Sequence, residues 1–293
     1  MVDQDIEARD IEALRDGRAW VDLSERRTIR VRGSDAIGWL HDLLTADVEG
    51  LAPGTSCRSL LLTPTGYVRA DVHVVRRDDD LVLVQERDQP EDIAASLAPY
   101  VLSSDVGVDD ISGELAIFAV PGRDATPNGT AGFPVSCLGA GVDAIDAASR
   151  RAATHDALLA AGLHEVDRAA AEAWRIDRGV PRMGPDFDRR SLPSEAGLDA
   201  VIDDTKGCFL GQESVARVRN LGHPPRVLRH VRGETPIVAG SIVRDGATDV
   251  GDVTSAARIG DRWVALVRVA WSAATARLTD DDGHPLRDAD PPG

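Results

Sequence analysis

Alternation of apolar and polar residues predicts several strands in the first half of the chain. Ile29 and Val31 alternate with arginines over positions 27–32, which is typical of a strand with one buried face. Further strands are predicted at 57–62, 67–75, 81–84 and 115–120. The segment Pro64-Thr65-Gly66 is a turn signal that joins the first two of these.

Apolar residues at helical spacing predict helices between and after these strands. Four apolar residues from Ile37 to Val48 share one face, so a helix capped by Ser34 is predicted to extend to Val48. Other helices are predicted up to about residue 18 and at 90–100, 142–161 and 164–177. The glycine- and proline-rich stretch 122–141 is predicted to be a loop. Strands and helices without regular βαβ alternation predict an α+β fold.

The last part of the chain changes to short β-rich runs that glycine and aspartate turn signals separate. Strands are predicted at 227–231, 241–243, 263–269 and 274–278. Short strands at this spacing predict a small barrel. We therefore predict two domains, with the boundary between Gly222 and Pro225: an α+β region of residues 1–222 and a barrel of residues 223–293.

Composition and charge narrow the function classes. The 293 residues are 43% hydrophobic and carry 33 basic and 49 acidic side chains, for a net charge of −16. This apolar fraction disfavours intrinsic disorder, and the negative charge disfavours a general nucleic-acid binder. The three cysteines suit neither a disulfide framework nor a zinc-binding spacing, so no metal is predicted. No signal peptide or membrane span is predicted, and we expect a soluble, cytoplasmic protein.

The most informative segment is Lys206-Gly207-Cys208-Phe209-Leu210-Gly211-Gln212-Glu213. Its two glycines let the backbone approach a ligand closely, and a helix is predicted to begin at Gly211 or Gln212. Cys208, near this helix N-terminus and two residues from Lys206, would hold a thiolate more easily than a free thiol. A tight turn with a packed cysteine is the alternative. Lys206 is also the one lysine among the 33 basic residues.

Two nearby segments offer polar contacts to a ligand. Glu195 lies in a loop bounded by Pro193 and Gly197, where a carboxylate can accept two parallel hydrogen bonds from an arginine or from a pterin ring. It could equally be a solvated loop acid or a helix cap. Five arginines without an intervening acid form a candidate anion site, with pairing to distant carboxylates as the alternative. They are Arg217, Arg219, Arg226, Arg229 and Arg232.

Two further groups complete the candidates. Arg69, Asp71 and His73 share one face of a predicted strand, where a carboxylate beside an imidazole could transfer protons or simply form the wet side of a sheet. Trp174 could stack on a flat ligand, although a buried anchor is the commoner role.

The octapeptide Lys206–Glu213 closely resembles the K-G-C-[YF]-x-G-Q-E signature of the YgfZ family, folate-binding relatives of the glycine-cleavage T-protein, an aminomethyltransferase. The resemblance extends to the segments 23–48, 62–71 and 174–198. It implies three lobes around a central channel that holds tetrahydrofolate, two of them intertwined in residues 1–222, with the barrel as the third.

The resemblance also implies roles for individual residues. Glu195 would hold the pterin edge, and Arg217 or Arg226 would meet the glutamate tail. Cys208 would be the functional cysteine, with Lys206 beside it. The loop glycines Gly207 and Gly211 and the indole of Trp174 are the other candidate cofactor contacts.

The implied function is support of iron–sulfur cluster assembly or repair and, through client enzymes, of tRNA modification. A T-protein-like aminomethyltransferase in one-carbon metabolism is the first alternative. T-proteins usually show paired acids where this chain has Asp71 preceded by Ala70, and they lack the full cysteine motif, so both departures favour the YgfZ family. A module that docks tRNA or a protein is the third hypothesis, although direct nucleic-acid binding disagrees with the acidic composition.

Overall fold

The computed structural model describes residues 8–102, 104–127 and 130–289. Within them the helices are α1 (Ala8–Arg15), α2 (Ala36–Leu43), α3 (Ile93–Leu97), α4 (Arg151–Ala160), α5 (Arg168–Asp177) and α6 (Gln212–Leu221). The strands are β1 (Ala19–Asp22), β2 (Arg27–Arg32), β3 (Thr55–Leu62), β4 (Val68–Arg76), β5 (Leu81–Gln85), β6 (Gly107–Asp110), β7 (Leu115–Pro121), β8 (Gly132–Ser136), β9 (Gly139–Ala147), β10 (His164–Glu165), β11 (Arg226–Gly233), β12 (Ile242–Asp245), β13 (Thr248–Ile259), β14 (Arg262–Ala270), β15 (Leu278–Thr279) and β16 (Pro285–Asp288). No helix within the described ranges is long and apolar enough to cross a membrane.

The first sheet is antiparallel, with the strand order β3-β4-β5-β2-β6. This sheet contains the strands predicted at 27–32, 57–62, 67–75 and 81–84, so these predictions are confirmed. The apolar residues Ile29 and Val31 of β2 are fully buried, as the alternation predicts. Helix α2 packs its apolar face on this sheet, but it ends at Leu43 rather than Val48. The chain turns extended at Leu44, which bridges to Leu61 on β3, and this pairing replaces the predicted last turn.

The second sheet has the order β10-β1-β7-β9-β8, and β1 pairs parallel to β10 and antiparallel to β7. Two helix predictions were wrong here: 142–147 belongs to β9, and 164–165 forms β10. The predicted loop 122–141 likewise contains β8. Val142 and Ala144 are buried opposite Val120 and Phe118 of β7, so strand pairing decided the structure of a segment with weak local preference.

The C-terminal strands close a barrel in the order β11-β14-β13-β12-β15-β16, which confirms the predicted barrel. Its longest strand, β13, escaped prediction because it is built largely of small and polar residues. One hydrophobic core joins the barrel to both sheets through α5. That core includes Val84, Ile117, Trp174 and Val264. The α+β class is confirmed, and three sheet-based units meet around α5.

Candidate functional site

The central cavity lies where the two sheets and the end of α5 meet, and its volume is about 340 Å³. This size falls within the range of small-molecule sites. Its wall carries side chains of both signs of charge. The basic residues are Arg26, Arg58, Arg168, Arg175 and Arg182, and the acidic residues are Glu25, Asp71, Glu86 and Glu172. A ligand with both hydrogen-bond donors and anionic groups fits such a wall.

Asp71 of β4 reaches the cavity, but its carboxylate is already engaged. Arg58 donates to its two oxygens from Nε at 2.9 Å and from Nη2 at 2.6 Å. The guanidinium is fixed in turn by the carbonyl of Pro181, 2.8 Å away. Gln89 donates to the carbonyl of Asp71 at 2.7 Å, so the β4 backbone is also held. The arrangement fixes a negative charge at the cavity wall.

A buried ion pair connects the cavity to the barrel. Arg175 on α5 donates to Asp186 at 2.7 Å, and the two side chains are 4% and 0% exposed. The other oxygen of Asp186 accepts from the hydroxyls of Thr254 and Ser255 on β13, at 2.6 and 2.7 Å. The barrel is therefore fastened to the cavity wall by polar contacts as well as by the core.

Two cavity arginines retain undonated N–H groups. Arg26 pairs with Glu86, and Arg182 pairs with Asp88 at 2.6 Å. In both, the buried Nε donates no hydrogen bond to any described residue, although Nε of Arg182 lies 3.6 Å from a carboxylate oxygen of Glu172. Because buried polar groups are rarely left unsatisfied, these donors indicate a place for a ligand's acceptor atoms.

His73 and Cys137 form another part of the cavity wall, next to Asp143. Burial lowers the pKa of His73 below its usual value and raises the pKa of the Cys137 thiol well above its own. The ring of His73 faces inward from β4 together with Asp71, so this face of the strand forms the cavity wall rather than a wet surface.

The octapeptide forms a loop on the opposite side of β3, which we call the thiol loop (residues 206–211). The Lys206 ammonium donates to the carbonyls of His41, Leu44 and Ala46, the second at 2.7 Å and the third at 3.2 Å. The His41 and Leu44 carbonyls lie at the C-terminal end of α2, where helical acceptors lack intrahelical partners, and Ala46 lies just beyond it. Burial lowers the pKa of Lys206 to about 8, against the raising effect of Asp42 and other nearby acids.

Glycines hold the thiol loop against the β3–β4 turn. A Cβ on Gly211 would lie 2.5 Å from the carbonyl oxygen of Thr63, and one on Gly66 would lie 2.7 Å from the Cβ of Ser214. Gly211 also has a φ of 87° and precedes α6, as the sequence predicts. Gly207 has a φ of 102° but open space around it.

Cys208 is exposed at the tip of the thiol loop. The Gln212 amide approaches its sulfur at 3.7 Å, and the Phe209 N–H donates to the Gln212 side chain at 2.9 Å. The tip is thus an ordered turn that presents a thiol to the outside.

Glu195 is 4% exposed in a single 3₁₀ turn. Its carboxylate accepts from the backbone N–H of Leu192 at 2.8 Å and from Nε of Arg226 at 3.3 Å. Glu195 and Arg226, which the resemblance assigns to opposite ends of a folate, are therefore in contact with each other. A second cavity of about 460 Å³ adjoins this turn, lined in part by Ser194 and Trp271.

The other predicted site residues lie apart from one another. Trp174 is buried in the core, with the Arg178 guanidinium 5.4 Å from the centre of its ring. Arg217 is exposed on α6. Of three well-formed cavities within the described ranges, none is lined by either Glu195 or Cys208.

The arginine segment is largely engaged by acids. Arg219 pairs with Asp204, and Arg229 pairs with Asp288 at 2.6 Å. With the Arg226–Glu195 pair, three of its five arginines neutralise carboxylates. The segment is thus a set of ion pairs more than an open anion surface.

Sequence reasoning missed most of the central cavity. Arg26, Arg58, Arg182 and Glu172 carried no motif, and Asp71 and His73 were the wall residues singled out for chemistry. The sequence pattern that could have indicated this cavity is the strand alternation that places Asp71 and His73 on one face.

Comparisons with known proteins agree with this architecture. Residues 3–127 match the GCVT N-terminal domain family. A crystal structure of the glycine cleavage system aminomethyltransferase T from Bartonella henselae superimposes with a TM-score of 0.79, covering 96% of this chain and 89% of that one at 19% identity. The fold is therefore that of the T-protein.

Two relatives are similar over most of the sequence. A chloroplastic Arabidopsis thaliana protein named as a candidate transferase is 27% identical over 280 residues, which are 86% of this chain and 64% of the plant protein. An aminomethyltransferase of Nostoc is 24% identical over 282 residues, covering 84% of this chain and 75% of the relative. The chain thus spans less than two thirds of the plant protein.

Proposed function

We propose that this chain, whose fold is that of the GcvT-like superfamily, binds tetrahydrofolate or a one-carbon derivative of it in the central cavity. The observation that carries the proposal is the pair of undonated Nε groups of Arg26 and Arg182 on a wall that also bears carboxylates. A folate needs both kinds of partner. Its pterin edge donates hydrogen bonds to a carboxylate, and its glutamate tail accepts them from arginines.

The wall residues have separable roles in this proposal. Tetrahydrofolate would supply the ring amine that carries a one-carbon unit. Asp71 would place its carboxylate beside it, because two hydrogen bonds from Arg58 hold that carboxylate in position. A carboxylate engaged in this way orients a ligand or stabilises positive charge, and it is poorly placed to accept a proton.

Calorimetric titration with 5-formyltetrahydrofolate tests the location. We expect Arg182→Met to weaken binding roughly tenfold or more, the effect of losing one charge-assisted hydrogen bond. Glu195→Gln, outside the cavity, is the matched control and should bind as the wild type does. If Glu195→Gln loses affinity and Arg182→Met does not, the folate binds beside the Glu195 turn, as the sequence predicts. Absence of binding by the wild type contradicts the proposal altogether.

A second candidate function rests on the thiol loop. An exposed Cys208, in a loop held by the half-buried Lys206 and the close-packed Gly211, suits a YgfZ-like role in iron–sulfur cluster assembly or repair, with iron–sulfur client proteins as partners. Effects on tRNA modification would then pass through those clients.

Complementation of a deletion strain separates the two candidates. Cys208→Ala, with Cys57→Ala as the matched control, should abolish recovery of iron–sulfur enzyme activity and of methylthiolated tRNA if the accessory function holds. Asp71→Asn should leave both intact. Loss with Asp71→Asn and recovery with Cys208→Ala would instead favour an aminomethyltransferase.

A further inference from the structure

Three potential metal ligands from separate parts of the chain meet at the edge of the central cavity. A ring nitrogen of His73 on β4, the sulfur of Cys137 between β8 and β9, and a carboxylate oxygen of Asp143 on β9 all lie within 4.8 Å of one another. Two sheets bring them together: β4 belongs to the first sheet, and β8 and β9 belong to the second.

We propose that His73, Cys137 and Asp143 bind a divalent transition-metal ion, with Zn²⁺ the best match to one nitrogen, one sulfur and one oxygen. This site goes beyond the proposed folate function and does not depend on it. Tetrahedral Zn²⁺ sets its ligand atoms about 3.4–3.8 Å apart. Side-chain adjustments of about 1 Å would therefore close the site around the ion.

The charge on Asp143 supports a cation here. Asp143 is 1% exposed and forms no ion pair with any described residue, although it and the Cys137 thiol both raise the pKa of nearby Arg26. Its oxygens accept from the Ser136 hydroxyl at 2.5 Å and from the Cys137 N–H at 2.8 Å. A buried carboxylate without a paired cation is costly. A divalent ion bound by one thiolate and one carboxylate would make the cluster neutral, while nearby Arg26 is balanced by Glu86.

Hydrogen bonds orient the imidazole as a ligand. The Ser56 hydroxyl donates to the carbonyl of Pro134 at 2.5 Å, so its oxygen accepts from Nε2 of His73 at 3.0 Å. In the tautomer that has its proton on Nε2, Nδ1 keeps its lone pair for a metal ion. A ligating histidine commonly has its second nitrogen held in this way.

The cavity supplies the remaining coordination position. His73 and Cys137 both line it, so the open side of a three-residue site would face the central cavity. Zinc sites with three protein ligands keep such a position for water or a ligand.

Titration of the chelator-treated full chain with Zn²⁺ and Co²⁺ tests the proposal. We expect one equivalent of Co²⁺ to give a thiolate-to-cobalt absorption band in the wild type and in the controls Cys57→Ser and Cys208→Ser. Cys137→Ser should lack the band, and Asp143→Asn should bind at least tenfold more weakly. Ser56→Ala, which frees the imidazole, should weaken binding by roughly 10–100-fold.

A measurement on the wild type tests the metal site even if the variants fail to fold. Zn²⁺ should slow modification of Cys137 by N-ethylmaleimide, mapped by mass spectrometry, and leave the rate at Cys208 unchanged. Equal rates at Cys137 with and without Zn²⁺, or a cobalt band that persists in Cys137→Ser, would overturn the site.

Discussion

Replacing Asp186 by asparagine should uncouple the barrel from the cavity wall. Asp186 is fully buried and accepts from Arg175 at 2.7 Å and from the Arg182 N–H at 2.9 Å. It also accepts from two hydroxyls of β13, those of Thr254 and Ser255. Asparagine keeps the shape and one carbonyl oxygen, but it removes the charge and turns the second acceptor into a donor.

The magnitude follows from the burial of the pair. Removing one partner of a buried ion pair costs about 3–5 kcal/mol, because the other charge is left uncompensated. Glu172 still pairs with the Arg175 guanidinium, which places the cost near the lower end, about 3 kcal/mol. For a chain of this size that corresponds to a fall in Tm of roughly 6 °C.

Thermal unfolding and hydrogen exchange measure this effect. The matched control is Asp16→Asn, in a pair with Arg18 whose side chains are 52% and 59% exposed. Such surface pairs are worth about 0–1 kcal/mol. We expect faster exchange in β13 for Asp186→Asn alone. A change in Tm no larger than that of Asp16→Asn would refute the claim that this pair joins the barrel to the cavity.

Two further predictions concern the thiol loop. Lys206 is the one lysine in the sequence, so lysine labelled at Cε gives a single side-chain NMR signal, and its titration should have a midpoint near pH 8 instead of the usual 10.5. Because the unfolded chain keeps this proton to higher pH, the contribution of Lys206 to the free energy of unfolding should rise between about pH 8 and 10.5. An NMR titration midpoint near pH 10.5 would contradict the burial of the Lys206 ammonium. Gly211→Ala should lower Tm more than Gly207→Ala, since both backbones have positive φ but a Cβ collides only at Gly211, with the Thr63 carbonyl; equal losses would show that the contact with the β3–β4 turn is unimportant.

A strand was predicted correctly where its pattern of apolar residues matched the burial of those residues in the folded sheet. The strand at 67–75 alternates and the strand at 115–120 is continuously apolar, and both are interior strands of their sheets. Strand β13 has too few large apolar residues to show a period, and its place is fixed by pairing with β14 along nearly its whole length. The start of β9 is fixed in the same way by β7. The β7–β9 pairing joins residues that a short sequence window does not contain, whereas β13 and β14 form a hairpin across Gly260 and Asp261 that the weak apolar pattern of β13 hides.

The thiol loop illustrates what a motif reveals about a site. Its spacing correctly predicted a glycine turn before a helix that begins at Gln212. It gave no indication that Lys206 donates to the end of α2, because the acceptors are backbone carbonyls more than 150 residues away along the chain. In the same way, Arg26 and Arg182 resemble any other arginine until the fold removes the partners of their Nε groups.

The two candidate centres share one structural element, and this determines which substitutions can separate their functions. Strand β4 presents Asp71 and His73 to the central cavity, while the turn that begins the same strand packs Gly66 against the thiol loop. A substitution at Asp71 alters the central cavity, and a substitution at Cys208 alters the thiol loop. Neither is expected to move the backbone of the β3–β4 hairpin. A side chain at Gly66 would push against Ser214 and so displace the loop and the strand together. Loss of folate binding in a Gly66 variant would therefore reflect movement of the shared β3–β4 hairpin. Only substitutions at Asp71 or Cys208 can assign a function to one of the two centres.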